Sequence, residues 1–210
     1  MLPSPIRYFI LNSVLFFMVS CAPIYKKMMR STVSAAVLKK FMPRFTVALY
    51  HTQVNVMGNH LSGLLLIKKM PDSSTRLVFS NEMGFKFFDF EFDTAGKFKV
   101  YSIIKQLDKK PVVITLKKDF ELLLMQQPDS AIVDVRQNKG LVYFIYPQTK
   151  GWYYYITDSS LNKLLRLQRV SKTKIVVTAS MQNYSNGMPD TIAIVHNNFN
   201  FTIDLKRIIQ

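Results

Sequence analysis

The chain has 210 residues, 49% of them hydrophobic and 13% aromatic, which gives room for one sizeable core and a short leader. Its single cysteine, Cys21, excludes an internal disulfide and a cysteine-built metal site. A formal charge of +15 excludes a neutral surface and calls for an anionic partner: nucleic acid, an acidic protein or a lipid surface.

Residues 1–20 carry one charge, Arg7, followed by a mostly apolar run from Tyr8 to Val19. That run has the length of a signal-peptide core and is too short for a comfortable membrane span. It ends in Met18-Val19-Ser20-Cys21. A small residue before a lone cysteine at this place resembles the bacterial lipobox, with Met18 where leucine is usual. The resemblance implies lipidation of Cys21, a mature chain that starts there, and anchoring outside the cytoplasm. Residues 21–44 then hold Lys26, Lys27, Arg30, Lys39, Lys40 and Arg44 without an acid, a composition suited to an anionic membrane surface or to a solvated linker. Within them Val33, Val37 and Phe41 recur at helical spacing, Ser31 or Thr32 serves as cap, and Pro43 ends the helix.

The body, residues 45–210, reads mainly as β-strand. Phe45 to Gly58 and Leu61 to Met70 form a pair, and the continuous run Leu64–Ile67 predicts cover on both faces there. Next comes the hairpin Arg76 to Asp93. Leu77 and Phe79 share one face of its first strand, and Phe88, Phe90 and Phe92 share one face of its second. Asp89, Glu91 and Asp93 take the other, wet side. Asn81-Glu82-Met83-Gly84 makes the turn. A row of phenylalanines fills a core as well as it lines a space for a guest.

The period then changes. A short helical turn is expected around Ser102 to Leu107. A longer helix follows Pro111, with Val112, Leu116, Phe120, Leu123 and Leu124 on one face. Strands resume at Ala131–Gln137, Leu141–Tyr146, Trp152–Thr157, Leu161–Gln168, Lys174–Asn183, Thr191–His196 and Asn200–Leu205. Many antiparallel strands around an inserted helix predict one long curled antiparallel sheet, an α+β open half-barrel with helices over its concave apolar face.

The order of these pieces resembles the bacterial outer-membrane lipoprotein receptor LolB and its soluble partner LolA. The residues that carry the resemblance are Arg76-Leu77-Val78-Phe79-Ser80-Asn81-Glu82-Met83-Gly84-Phe85, the helical insert, and Met188-Pro189 through Lys206. Glu82 stands where that family has proline. The resemblance implies a non-catalytic protein that binds acyl chains of lipoproteins, or another lipid, in a cavity lined by Leu77, Phe79, Phe88, Phe90 and Phe92. It implies a LolA-like periplasmic carrier as partner and an outer-membrane location facing the periplasm. It makes Met83 the turn residue that touches the membrane. The rival reading is a structural envelope lipoprotein with a packed interior.

Other chemistry lacks its residues. His51, His60 and His196 show no metal-ligand spacing, and no phosphate-binding, dinucleotide or serine-nucleophile motif occurs, so neither an enzyme nor a cofactor is expected. Asp89, Glu91 and Asp93 fit a solvated sheet face better than a cation site. Trp152-Tyr153-Tyr154-Tyr155 can stack bases, but an exported protein would seldom meet nucleic acid, and none is expected as partner.

Overall fold

The computed structural model describes residues 24–56, 58–126 and 133–209; Cys21 and the leader lie outside them. All the described strands join one antiparallel sheet of 13. The ladder starts with β1 (Met29–Arg30), β7 (Asp134–Asn138), β8 (Leu141–Gln148), β9 (Gly151–Asp158), β10 (Leu164–Val170) and β11 (Ile175–Ser185). It continues through β12 (Met188–His196), β13 (Phe201–Arg207), β2 (Val47–Val56) and β3 (Asn59–Lys69). It ends with β4 (Thr75–Ser80), β5 (Lys86–Phe92) and β6 (Phe98–Ile103). The outermost strands, β1 and β6, do not pair with each other, so the sheet is open. This agrees with an open half-barrel. One α-helix lies among the described residues, α1 (Lys110–Leu124).

The core follows from period-2 alternation. Leu65 and Ile67 of β3, Leu77 and Phe79 of β4, and Phe88, Phe90 and Phe92 of β5 are all buried on one side. Ile192 and Ile194 of β12 and Ile203 and Leu205 of β13 continue that side across the sheet. Helix α1 closes on it with Leu116, Phe120, Leu123 and Leu124, the stripe expected from the sequence. Pro111 sits in the first turn, where its missing N–H costs nothing, and Met125 ends the helix in a left-handed conformation.

Two glycines between β3 and β5 are required by geometry. Gly63 of β3 lies so close to the next strand that a Cβ would come within 2.1 Å of the Ser80 carbonyl oxygen. Gly84 closes the β4–β5 turn at φ +84°, in the region that other residues seldom adopt.

Several expectations need correction. In Leu64–Ile67 only Leu65 and Ile67 are buried, so the run has one dry face rather than two. The helix expected from Ser31 is a shorter 3-10 stretch, Ala35–Phe41, capped by Ser34. The turn of helix expected from Ser102 is instead the end of strand β6 followed by a tight turn to Leu107. The basic segment after the leader is partly structured: Ile24–Lys27 forms a 3-10 turn and Met29–Arg30 pairs with Gln137 and Arg136. Tyr25 packs edge-on against Trp152 at 5.2 Å and also meets Tyr154, on the face of β9 away from the helix.

Asp89 also needs correction. It is buried rather than wet, because Arg76 forks onto both its oxygens at 2.6 and 3.0 Å while Lys86 adds a third bond at 3.2 Å. Arg76 itself lies 3.8 Å over the Tyr101 ring and so lids the carboxylate. Burial pushes the Asp89 carboxyl up, but these donors outweigh burial and hold it below the usual carboxylate range. Glu91 is engaged by Tyr101, and Asp93 caps the backbone N–H groups of Ala95 and Lys97. The three acids are accounted for by pairing.

Candidate functional site, an apolar cavity under the helix

Where α1 does not reach the sheet, an apolar cavity of about 240 Å³ remains. Its sheet wall comes from β2, β3, β4, β5 and β13, through residues such as Val54, Leu61, Phe79, Phe88 and Phe201. Its roof comes from Leu107 and from Val112, Leu116 and Phe120 of α1. Thr52 and Thr115 are the polar side chains in the lining, and the Thr52 hydroxyl donates back to the Tyr50 carbonyl at 3.2 Å. The wall therefore offers a guest no charge and almost no hydrogen bond; it selects for hydrocarbon.

Of the ring row expected to line this space, Phe79 and Phe88 do. Leu77 and Phe90 are buried on the same sheet face but outside the lining. Phe90 stacks on Phe88 at 4.3 Å and meets Phe98 at 5.0 Å, which makes it a core residue. Truncating such a ring to alanine typically costs about 3–5 kcal/mol. Phe92 is buried next to Phe98 and borders a different, more polar hollow near Glu121, Gln126 and Tyr153. Five liners that the hairpin did not foretell, Val54, Val56, Leu107, Phe199 and Phe201, come from segments far apart in the chain.

Strand directions locate the mouth. In an antiparallel ladder alternate turns fall at the same end. The β4–β5 turn, the β12–β13 turn, the β2–β3 turn and the β6–α1 linker therefore share one end of the sheet. Val56, Leu61, Phe88, Leu107 and Phe199 bring the cavity to that same end, and Phe199 both lines it and stays 42% exposed. Met83 projects there at 94% exposure, with Phe85 beside it at 59%. The turn beneath them is stiffened by Asn81, whose side chain accepts from Phe85 N at 2.8 Å and whose carbonyl accepts from Gly84 N at 3.0 Å.

Behind the cavity wall lies a buried polar cluster with no signature in local sequence. Asp119 on α1 accepts from His196 Nε2 at 2.8 Å, and both side chains are fully buried. The carboxylate can only accept, so Nε2 carries the hydrogen. Arg169 of β10 approaches the other Asp119 oxygen at 3.5 Å, an ion pair too long for a hydrogen bond. The His196 ring stacks on Phe201 at 4.5 Å, so the cluster touches the lining. Two residues on, the Tyr153 hydroxyl donates to Glu121 at 3.0 Å, and burial followed by that carboxylate pushes it far above its ordinary range. Burial and then Arg169 lower the Lys118 ammonium. These contacts clamp the helix to β9, β10 and β12. His51 and His60, by contrast, sit apart from the cavity, His60 bonding Asn55 on the β2–β3 hairpin at 2.8 Å. Among the described residues no group of histidines and acids has metal-binding geometry. Tyr153, Tyr154 and Tyr155 are buried, which removes them as a base-stacking platform.

No protein-family model matches the chain, and no curated protein matches it in sequence. Solved structures resemble it in outline. One is a domain described as outer membrane lipoprotein-sorting, from Vibrio parahaemolyticus, at 8% identity and TM-score 0.46, covering 83% of this chain and 88% of that one. Another is a DUF1329 family protein from Desulfovibrio piger, at 10% identity and TM-score 0.43, covering 82% and 87%.

Removing Asp119 leaves a histidine and an arginine buried without their carboxylate. Asp119→Ala should lower stability by about 3–5 kcal/mol, as expected for breaking a buried pair. Asp119→Asn, which keeps an acceptor for Nε2, should lose less. Urea unfolding of the three proteins checks this; equal midpoints for wild type and Asp119→Ala would show that the cluster does not hold the helix.

Proposed function

We propose that the chain is a lipid-anchored envelope protein that holds acyl chains in the cavity under α1, taking them from a LolA-like periplasmic carrier and passing them to the outer membrane. The observation that carries this reading is the meeting of an open, uncharged cavity and an exposed apolar turn at one end of the sheet. Transfer of this kind needs no bond chemistry. A cavity that binds hydrocarbon better than the carrier shifts the population, and insertion at a bilayer completes the release.

Size sets a bound. A space of about 240 Å³ exceeds the roughly 150 Å³ that a benzene-binding cavity needs but falls short of the roughly 300–1,000 Å³ of drug-sized sites. It takes part of one acyl chain as it stands, and a diacylated client requires α1 to lift. The same tightness favours the second reading, a packed scaffold acting through its surface. Native mass spectrometry separates them: retained lipid supports the carrier. Val112→Asp, a partly buried lining change on the helix, should weaken a fluorescent fatty-acid probe at least tenfold while leaving the fold intact. A wild type that binds neither lipid nor probe overturns the carrier reading.

Met83 bears on delivery alone. Substitution to glutamate in an exposed turn should change stability by no more than about 0.5 kcal/mol. Acyl binding should survive, and transfer from loaded protein to liposomes should slow. Delivery at the wild-type rate would reduce Met83 to an ordinary turn residue.

Anchoring is assigned to Cys21, and among the described residues no helix is long and apolar enough to cross a membrane. Cys21→Ser should abolish incorporation of labelled palmitate; incorporation that persists removes the anchor from this cysteine.

A further inference from the structure

Two residues of the cavity lining are exposed, Pro111 and Phe199. Pro111 cannot yield, because its ring locks φ and it sits in the first turn of α1. Phe199 stands on the turn of residues 197–200, between β12 and β13. Asn197 ties the start of that turn to the β11 side. Its N–H donates to the Val176 carbonyl at 2.9 Å, and its carboxamide donates to the Ile175 carbonyl at 3.3 Å. Beyond it the ties stop: Asn198, Phe199 and Asn200 make no hydrogen bond among the described residues. The β4–β5 turn on the same rim differs, since Asn81 closes it with two bonds.

What Phe199 rests on is fixed. Its ring lies 5.8 Å from that of Phe201, inclined by only 21°, and 5.0 Å from the His196 imidazole. Those two rings stack on each other at 4.5 Å and are buried. His196 Nε2 donates to Asp119, so the imidazole cannot swing without breaking a buried hydrogen bond. Phe201 is held in the ladder as the first residue of β13. Wall filling does not account for Phe199, because rings that only fill the wall are buried, as Phe79, Phe88 and Phe201 are. A loose turn thus carries a ring that borders the cavity, faces water and lies on a rigid seat.

We propose that Phe199 is the gate of the cavity: seated on His196 and Phe201 it closes the mouth, and swung out with its turn it lets a hydrocarbon guest pass. Two ring contacts hold it shut, which puts the open form at roughly one molecule in ten to one in a hundred. Such a gate sets how fast a guest comes and goes and leaves affinity to the wall, because a barrier shared by uptake and release cancels in their ratio. A transfer protein gains from that separation, holding a chain between encounters without holding it more tightly. This purpose rests on the acyl-binding reading; the test does not.

Benzene is the probe, since an apolar cavity of roughly 150 Å³ takes it up whatever the natural guest. NMR magnetisation transfer on the full chain reads its uptake and release rates. Phe199→Ala should raise both rates by at least roughly tenfold, the reciprocal of the open fraction. Its Kd should stay within roughly threefold, the contribution of one ring edge lost from the wall. Phe85→Ala, which removes an exposed ring from the same rim but outside the lining, should leave both rates unchanged. Wild-type rates in Phe199→Ala, or equal acceleration in Phe85→Ala, overturn the proposal. So does a Phe199→Ala protein that binds more weakly with an unchanged uptake rate, which would make Phe199 part of the wall alone. The fluorescent fatty-acid probe on the same proteins keeps the two readings apart. Gated benzene exchange without fatty-acid binding removes the carrier alone; fatty-acid binding with benzene rates that Phe199→Ala leaves unchanged removes the gate alone.

Discussion

A sheet of 13 strands that carries its main core on one face has more apolar area there than one helix of 15 residues can cover. That imbalance governs this molecule. Rings of neighbouring strands cover part of the face by packing on each other, as Phe90 and Phe92 do against Phe88 and Phe98. Helix α1 covers the rest along its Leu116–Phe120–Leu123 stripe. Where neither device reaches, next to Phe88 and Phe201, the apolar wall is left facing a gap. The cavity is thus a remainder of sheet geometry, and its lack of charge follows from being made of core residues.

The helix over that gap is held by polar groups as well as apolar ones. Fully buried Asp119 and His196 make a bond whose partners are 77 residues apart, and Arg169 approaches from a third element. Such clusters give position rather than net stability, because desolvating each ion offsets much of their attraction. Apolar side chains could slide along the sheet; a carboxylate that needs its imidazole cannot. Register between α1 and β12 is therefore held by this buried hydrogen bond, and the cavity beside it keeps a defined shape.

Elements with one-sided burial were legible in the sequence. The alternation Phe88, Phe90, Phe92 gave β5, the helical stripe from Val112 gave α1, and the shared turns gave most of the antiparallel order. Edge elements were not. β6 is exposed along most of both faces and β1 has two residues, so neither shows a hydrophobic period. Site residues were legible only in part. Phe79 and Phe88 stood in a readable hairpin, but which rings of a dry face meet a gap depends on where α1 stops. Asp89 read as wet because its cover, Arg76 and Tyr101, arrives from neighbouring strands. The exposure of Met83 was legible, since a lone large apolar residue in a tight turn has nowhere to be buried.

The openness of the sheet has a consequence for how the molecule behaves in a crowd. An unpaired edge is a template on which a second chain can continue the ladder. One edge, at β1, is two residues long and too short to seed such growth. The other, β6, is longer and exposes Val100 and Tyr101, but Lys97 and Lys99 stand exposed beside them. Two copies meeting edge to edge would bring those ammonium groups together. The strand count is thus kept from becoming a filament's repeat by a stub at one side and like charge at the other.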